Sequence, residues 1–179
     1  MSRSTSILLV GLLTVLMSVP ASAGLGVGAR YSFVRNSDTR DNSSMTGVFT
    51  RIRGDLLGLE GAIDYRDDNL GNDVVQRTWP VSASLMVYPL SGLYALAGLG
   101  WYHTSIDFPA NSGYSDRTSS KLGYHLGAGL EMGLVPRVKL TGDLRYLFLD
   151  YKFKDIPSSI GKTNANAYSL NAGVIIYLK

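Results

Sequence analysis

Two segments separated by a short turn carry the clearest pattern in the chain: Leu122–Met132, LGYHLGAGLEM, and Val138–Phe148, VKLTGDLRYLF. Apolar residues and glycine fill every second position of each segment, starting from its first residue. This period of two indicates β-strands, because successive side chains of a strand point to opposite faces. Each segment matches the roughly 9–11 residues of a strand that crosses a bilayer at a tilt, whereas soluble sheets typically use about five or six. The pair therefore predicts one hairpin of a transmembrane barrel.

Six further segments extend this pattern, so the sequence predicts an all-β protein, an eight-stranded antiparallel up-and-down transmembrane barrel. The predicted strands cover residues 24–35, 45–53, 56–66, 75–88, 93–105, 122–132, 138–148 and 167–179. The second and fifth strands have ambiguous parity, and Pro80 predicts a bulge or an interrupted pairing in the fourth. Tight turns near 54–55, 89–92 and 133–136 alternate with four long polar connections. Outer-membrane barrels show this alternation of short periplasmic turns and long extracellular loops.

The ends and the composition narrow the class of protein. Residues 1–23 have a positive start, an apolar run and an Ala-Ser-Ala end, which predicts a signal peptide that is cleaved after Ala23. Residues 24–179 then form the barrel domain. The absence of cysteine excludes disulfides and thiolate metal sites, and a net charge of +3 is too small to imply nucleic acid. We expect no cofactor and no metal, since the chain has no phosphate-binding loop and only two histidines.

The charged residues of the predicted strands share one face with many glycines. Small residues beside long charged ones suit a narrow interior, so we place this face inside and the apolar face toward lipid. A soluble barrel of the lipocalin type would have the opposite orientation. With a three-residue turn at Leu134–Pro136, Glu131 would face Lys139 and Asp143 would lie diagonally from His125. The predicted interior charge network comprises Arg30, Arg51, Glu60, Asp64, Lys121, His125, Glu131, Lys139, Asp143 and Arg145.

Opposed charges in a barrel of this strand number predict a lumen filled by salt bridges, with a small or gated channel as the alternative. Aromatic residues on the outward face concentrate at the long-loop ends of the strands, as an interfacial girdle does. The predicted girdle comprises Tyr31, Phe33, Tyr65, Trp79, Trp101, Tyr124, Tyr146, Phe148 and Tyr168.

The C-terminal segment Asn171–Leu178 is similar to the assembly signal of small outer-membrane barrels, with Asn171, Gly173, Ile176 and Leu178 at its key positions. Gly142–Tyr146 is similar to their penultimate strand. The chain thus resembles the OmpA/OmpX-like barrels of Gram-negative bacteria, although these usually end in an aromatic residue and this chain ends Leu178-Lys179. The resemblance implies a monomer in the outer membrane, in contact with lipid and lipopolysaccharide, that is inserted by the barrel-assembly machinery. It implies a structural, surface-interaction or small-channel role, with no extracellular ligand identified.

One local pattern favours an enzyme. His103 and Ser105 lie two apart on a predicted strand and would share a face near the outer leaflet, so the histidine could act as a base toward the serine. The pattern is similar to the His-x-Ser of lipid A deacylases, but that family continues with Asn and here Ile106 follows. A His-x-Ser at a strand end is common by chance. We therefore predict no catalytic residues and a protein that is not an enzyme.

Overall fold

The computed structural model describes residues 24–37, 42–69, 75–107, 117–148, 150–152, 162–164 and 166–178. The predicted signal peptide, residues 1–23, lies outside these ranges. No helix in the described ranges is long and apolar enough to cross a membrane. The strands are β1 Gly24–Asn36, β2 Asn42–Arg53, β3 Leu57–Asn69, β4 Val75–Leu90, β5 Leu93–Asp107, β6 Arg117–Val135, β7 Val138–Phe148, β8 Asp150–Lys152, β9 Lys162–Asn164 and β10 Ala167–Tyr177.

Eight of these strands close into an antiparallel barrel in the order β1-β10-β7-β6-β5-β4-β3-β2, which confirms the predicted fold. The structure adds one element to it, a small two-stranded sheet of β8 and β9 within the last long connection. Several strands also extend farther at the long-loop end than the sequence predicted; β6 begins at Arg117, five residues before Leu122. Apolar alternation ends where strands leave the lipid layer, whereas backbone pairing needs no apolar side chain and continues beyond it.

Side chains divide cleanly between the two faces of the barrel wall. Arg51 is 1% exposed and Phe49 3% exposed on the inner face of β2, whereas Val48 on the outer face is 59% exposed. On β5, Gly100 is buried and Trp101 is exposed. The parity chosen for these two ambiguous strands is therefore the observed one. Apolar side chains face outward all round the barrel, and the charged side chains of the strand centres face inward.

Pro80 interrupts the pairing of β3 with β4 without shifting its register. Paired positions run to Ile63 opposite Val81 and resume with Arg66 opposite Thr78, and both pairs belong to the same register. Because proline has no backbone N–H to donate, the ladder loses pairing where Pro80 faces β3. The interrupted pairing is confirmed, and it needs no bulge at this point.

The turn between β6 and β7 is tighter than the sequence predicted. Val135 pairs with Val138, so the turn consists of Pro136 and Arg137, and Arg137 adopts a left-handed conformation with φ of 71°. A left-handed residue lets two residues reverse the chain, whereas the prediction assumed three. The turn and a register shift between Gly133 and Val135 together make the predicted pairing wrong by two residues: Glu131 lies opposite Thr141 instead of Lys139. Asp143 accordingly lies opposite Gly129, so it is four residues along the strand from His125 and not diagonal to it.

Candidate functional site in the barrel interior

Glu60 stands at the centre of the charges inside the barrel. It projects inward from β3, directly opposite Arg51 of β2. Its Oε1 accepts hydrogen bonds from Arg30 Nη1 at 3.1 Å and from Arg145 Nη2 at 2.9 Å. Its Oε2 accepts from Arg51 Nε at 3.1 Å and also from Arg51 Nη2. One buried carboxylate thus joins β1, β2, β3 and β7.

Two further carboxylates each bind an arginine that also binds Glu60. Asp64 forms a bidentate ion pair with Arg30: its Oδ1 accepts from Arg30 Nε at 2.8 Å, and its Oδ2 accepts from Arg30 Nη2 at 2.5 Å. Asp143 forms a second bidentate pair, in which its Oδ1 accepts from Arg145 Nε at 2.6 Å and its Oδ2 accepts from Arg145 Nη2 at 3.0 Å. Asn171 Nδ2, at 2.6 Å, and the Tyr94 hydroxyl, at 3.0 Å, also donate to Asp143. Bidentate pairs of this kind are among the stronger polar contacts in proteins because both partners are ionised.

Glu131 gathers the charges at the short-turn end. Its Oε1 accepts from Arg51 Nη1 at 2.5 Å, from the Tyr177 hydroxyl at 2.9 Å and from the Tyr88 hydroxyl at 3.2 Å. Its Oε2 accepts from Arg53 Nη1 and from Lys139 Nζ at 3.3 Å. Arg51 therefore links the Glu60 cluster to the Glu131 cluster across the lumen.

We refer to these ionised side chains together as the ionic plug. It contains five cations and four carboxylates, a net charge of +1. Each of these groups forms an ion pair with an opposite charge, because an unpaired charge inside a protein is very unfavourable. Aromatic rings support the guanidinium groups: the Arg51 Cζ lies 5.0 Å from the Tyr94 ring centroid, and the Arg53 Cζ lies 4.3 Å from that of Tyr88. The plug consists of Arg30, Arg51, Arg53, Glu60, Asp64, Glu131, Lys139, Asp143 and Arg145.

Glycines on intervening strands let side chains of non-adjacent strands meet. Tyr94 of β5 and Asp143 of β7 both lie opposite Gly129 of β6. A Cβ at Gly129 would come within 2.5 Å of the Asp143 Cβ and 2.6 Å of the Tyr94 ring. The hydrogen bond between Tyr94 and Asp143 therefore passes over a position that only glycine can occupy without displacing its neighbours.

The side chains of the plug pack closely at the level of Glu60. Around Glu60, Asp143 and Arg51 no space remains for a water molecule. Above this layer, toward the long-loop end, a cavity of about 40 Å³ lies between Arg30, Asp64, Arg145 and the strand ends. Eight strands enclose an interior that side chains nearly fill, and here the charged ones fill it.

A closed eight-stranded barrel with lipid-compatible side chains outside and a charged lumen matches a known group of membrane proteins. The sequence profile of the outer membrane protein beta-barrel domain matches residues 5–175. The chain belongs to this outer membrane protein beta-barrel family. Membership places it in the outer membrane of a Gram-negative bacterium.

Solved structures share the fold of this outer-membrane barrel. Neisserial surface protein A is 18% identical, with a TM-score of 0.62 over 86% of this chain and 96% of that one. A major outer membrane protein of Thermus thermophilus is 14% identical, with a TM-score of 0.63 over 88% and 100%. Ail, the attachment invasion locus protein of Yersinia pestis, solved with the heparin analogue sucrose octasulfate, is 15% identical, with a TM-score of 0.55 over 87% and 97%. No curated protein matches the sequence significantly.

The structure brings eight of the ten residues of the predicted charge network into the ionic plug. The remaining two lie on β6. His125 is 2% exposed, and its Nε2 lies 2.8 Å from the Ser84 Oγ. Lys121 is half-buried opposite Tyr102, nearer the long-loop end.

The predicted network omits five side chains that donate hydrogen bonds to the carboxylates of the plug. Their inward parity could have been read from the alternation of β2, β4, β5 and β10. The predicted network contains charged residues alone, so the aromatic hydroxyls and the amide that donate to the same carboxylates are not part of it. Arg53 is charged and shares the inner face of β2 with Arg51, yet it is also absent from the predicted network. These residues are Arg53, Tyr88, Tyr94, Asn171 and Tyr177.

The residues predicted as an aromatic girdle lie on the outer face of the barrel near the long-loop end. Four of them form a continuous contact series on β6, β7 and β10, in which Tyr124 stacks on Phe148 at 5.0 Å between centroids. Tyr146 makes edge contacts with Phe148 at 4.7 Å and with Tyr168 at 4.9 Å. The predicted assembly-signal residues divide by parity: Asn171 and Gly173 face the lumen, whereas Ile176 and Leu178 are exposed on the outside.

Proposed function

We propose that this outer-membrane barrel is a non-conducting, non-enzymatic anchor that presents four long loops at the cell surface for attachment or structural support. The ionic plug carries the proposal, because it fills the lumen that a channel would need. On this proposal residues 1–23 direct export and are removed, and the barrel-assembly machinery then inserts a monomer into lipid and lipopolysaccharide.

Opening a path through the plug would require several ion pairs to separate together. Arg51 is shared by Glu60 and Glu131, and Glu60 is shared by Arg30, Arg51 and Arg145. Removing one partner of a buried pair typically costs about 3–5 kcal/mol, since the other charge is left uncompensated. Because the acids are shared, moving one arginine disturbs the partners of the others. Thermal opening of a continuous polar path is therefore costly.

The geometry at His103 supports a non-enzymatic role. A histidine that acts as a base toward a serine needs a group on its second ring nitrogen to hold its orientation. His103 Nδ1 is buried and has no hydrogen-bond partner among the described residues. An outward-facing histidine without that support suits an interfacial position better than a catalytic one.

The loop-presenting role rests on the topology and on an analogy. The connections that contain residues 38–41, 70–74, 108–116 and 153–161 all leave the same end of the barrel. Ail of Yersinia pestis is an attachment invasion locus protein by name, so a barrel of this fold can belong to an attachment protein. No ligand is assigned to the loops.

Planar-bilayer recording tests the non-conducting role. We expect no discrete conductance steps from the refolded wild-type barrel, nor from the variant Asp55→Asn at an exposed turn. A channel would instead give steps in the wild type whose size or frequency changes on Asp143→Asn or Arg145→Gln. Such steps would contradict the non-conducting role and favour the channel alternative.

Cysteine labelling tests the presentation of the loops, because the chain has no cysteine of its own. On intact cells, a membrane-impermeant maleimide should label Ser112→Cys in a long connection. It should leave Ser91→Cys in a tight turn unlabelled until the cells are lysed. The reverse pattern would mean that the long connections face the periplasm.

A further inference from the structure

The cavity above the ionic plug, which we call the vestibule, has features that the anchoring role does not use. It measures about 40 Å³, and a water molecule needs about 10–15 Å³ by the same measure, so it has room for roughly three waters or one small ion. Arg30, Asp64 and Arg145 are among its lining residues, as are the hydroxyls of Ser32, Ser82 and Ser169.

Within the described part of the chain, the hydroxyl of Ser32 is an unpaired polar group in the wall of the vestibule. The residue is 3% exposed, and its Oγ is buried without a hydrogen-bond partner among the described residues. It lines the vestibule from β1, between Met45 of β2 and Asn171 of β10. Buried hydroxyls are nearly always hydrogen-bonded, because leaving one unpaired costs free energy. A ligand in the vestibule would supply the missing acceptor.

The hydrogen-bonding groups of the lining decide the class of ligand. The lining holds two guanidiniums, the Asp64 carboxylate and the imidazole of His125, whose Nε2 is already bonded to Ser84, while Glu60 and Asp143 line the closed layer beneath. The two Asp64 oxygens already accept from Arg30. Arg30 and Arg145 each commit three of their five N–H groups to carboxylates, so two N–H groups on each guanidinium and the Ser32 hydroxyl remain as donors. A ligand that only accepts hydrogen bonds therefore fits this lining best.

We propose that the vestibule binds one small monovalent anion, a halide or a carboxylate of formate size, with the Ser32 hydroxyl donating to it. Arg30 and Arg145 supply the attraction while keeping their carboxylate partners. A tetrahedral oxyanion such as sulfate is excluded, because it is larger than the space.

Bromide is the probe for this site. Sodium bromide is titrated into the isotope-labelled barrel in detergent micelles at constant ionic strength, and the backbone amide resonances are followed. We expect saturable shifts confined to residues around the vestibule, including Ser32 and Asn171, and none with sulfate. In bromide-soaked crystals, an anomalous peak should lie within hydrogen-bond distance of the Ser32 Oγ.

Two variants distinguish the contribution of the Ser32 hydroxyl to bromide binding from general effects of salt. Ser32→Ala should weaken bromide binding by about tenfold, since it removes a hydrogen bond to a charged group. Ser44→Ala, on the exposed outer face of β2, should leave the affinity unchanged. Non-saturating shifts, equal binding by Ser32→Ala, or crystals with only water in the vestibule would overturn the proposal. If Ser32→Ala does not fold, the wild-type comparison of bromide with sulfate decides the matter.

Discussion

Arg30 and Asp64 form a bidentate ion pair although their strands, β1 and β3, are not hydrogen-bonded to each other. The residue between them on β2 is Gly47, which lies opposite both. The missing side chain of Gly47 opens the space through which the guanidinium reaches the carboxylate. The pair is thus specified by three residues, only two of which are charged.

Replacing Gly47 by alanine should break this arrangement. A Cβ there would clash with the Asp64 carboxylate and come within 2.8 Å of the Ile63 carbonyl oxygen. We expect Gly47→Ala to lower the free energy of unfolding by about 3–5 kcal/mol, the range for a disrupted buried ion pair. Denaturant unfolding of the wild type and the variant in lipid vesicles measures this difference in free energy.

Gly61→Ala provides the matched control, since its Cβ would be no nearer than 3.8 Å to any neighbour. That variant should unfold at nearly the wild-type denaturant concentration. Equal loss of stability in the two variants would show that glycine is needed for backbone reasons and not for the Arg30–Asp64 contact.

Glu60→Gln tests the centre of the plug. The change removes the negative charge shared by Arg30, Arg51 and Arg145 and points amide hydrogens at guanidiniums that have no acceptor to offer. We expect a loss of about 3–5 kcal/mol in the free energy of unfolding. Asp55→Asn, in an exposed turn, should change stability by less than about 0.5 kcal/mol. An unchanged unfolding midpoint for Glu60→Gln would show that the plug does not stabilise the barrel.

Arg137→Gly should stabilise the barrel. Arg137 has φ of 71°, a conformation that costs a non-glycine residue about 1–2 kcal/mol. Glycine adopts it without that cost but loses more entropy on folding, so we expect a net gain of about 1 kcal/mol. Arg137→Ala retains the steric cost and should show little change in the unfolding midpoint. A gain in both variants would instead point to the arginine charge as the source of the effect.

The outward aromatic residues should lie at one membrane interface. The chain has two tryptophans, Trp79 and Trp101, both exposed on the outer face of neighbouring strands near the long-loop end. We expect lipids brominated close to the headgroup to quench their fluorescence strongly, and lipids brominated at the chain ends to quench it weakly. Maximal quenching by chain-end bromines would place these residues at the bilayer centre and contradict the interfacial assignment.

The alternation of apolar and polar side chains was sufficient to predict the barrel. Each strand has one face toward the lumen and one toward lipid, so its own sequence carries the pattern. It also placed Phe49 inside with Arg51, even though Phe49 is apolar. The contacts across the lumen could not be predicted in the same way. They depend on which residues face each other, and the two-residue turn of Pro136 and Arg137, together with a register shift beside Gly133, moved the pairing of β6 with β7 by two positions.

The pairing of Glu131 with Lys139 illustrates this limit. The two residues are not opposite each other, yet Lys139 Nζ still lies 3.3 Å from Glu131 Oε2, because a long side chain can span a diagonal. Arg51 reaching Glu131 from β2 to β6 has no local sequence signal at all. Such contacts follow from the closed geometry and not from neighbouring residues in the chain.

The ion pairs that span the lumen have a consequence for biogenesis. Arg51 with Glu131 and Arg145 with Glu60 connect strands from opposite sides of the wall, so we expect these partners to meet as the seam between β1 and β10 closes. A partly inserted, open sheet would expose the same charges to acyl chains without their partners, at a high cost in free energy. Seam closure and passage into the bilayer should therefore occur as one concerted event, with the arginines kept hydrated until the last strand arrives.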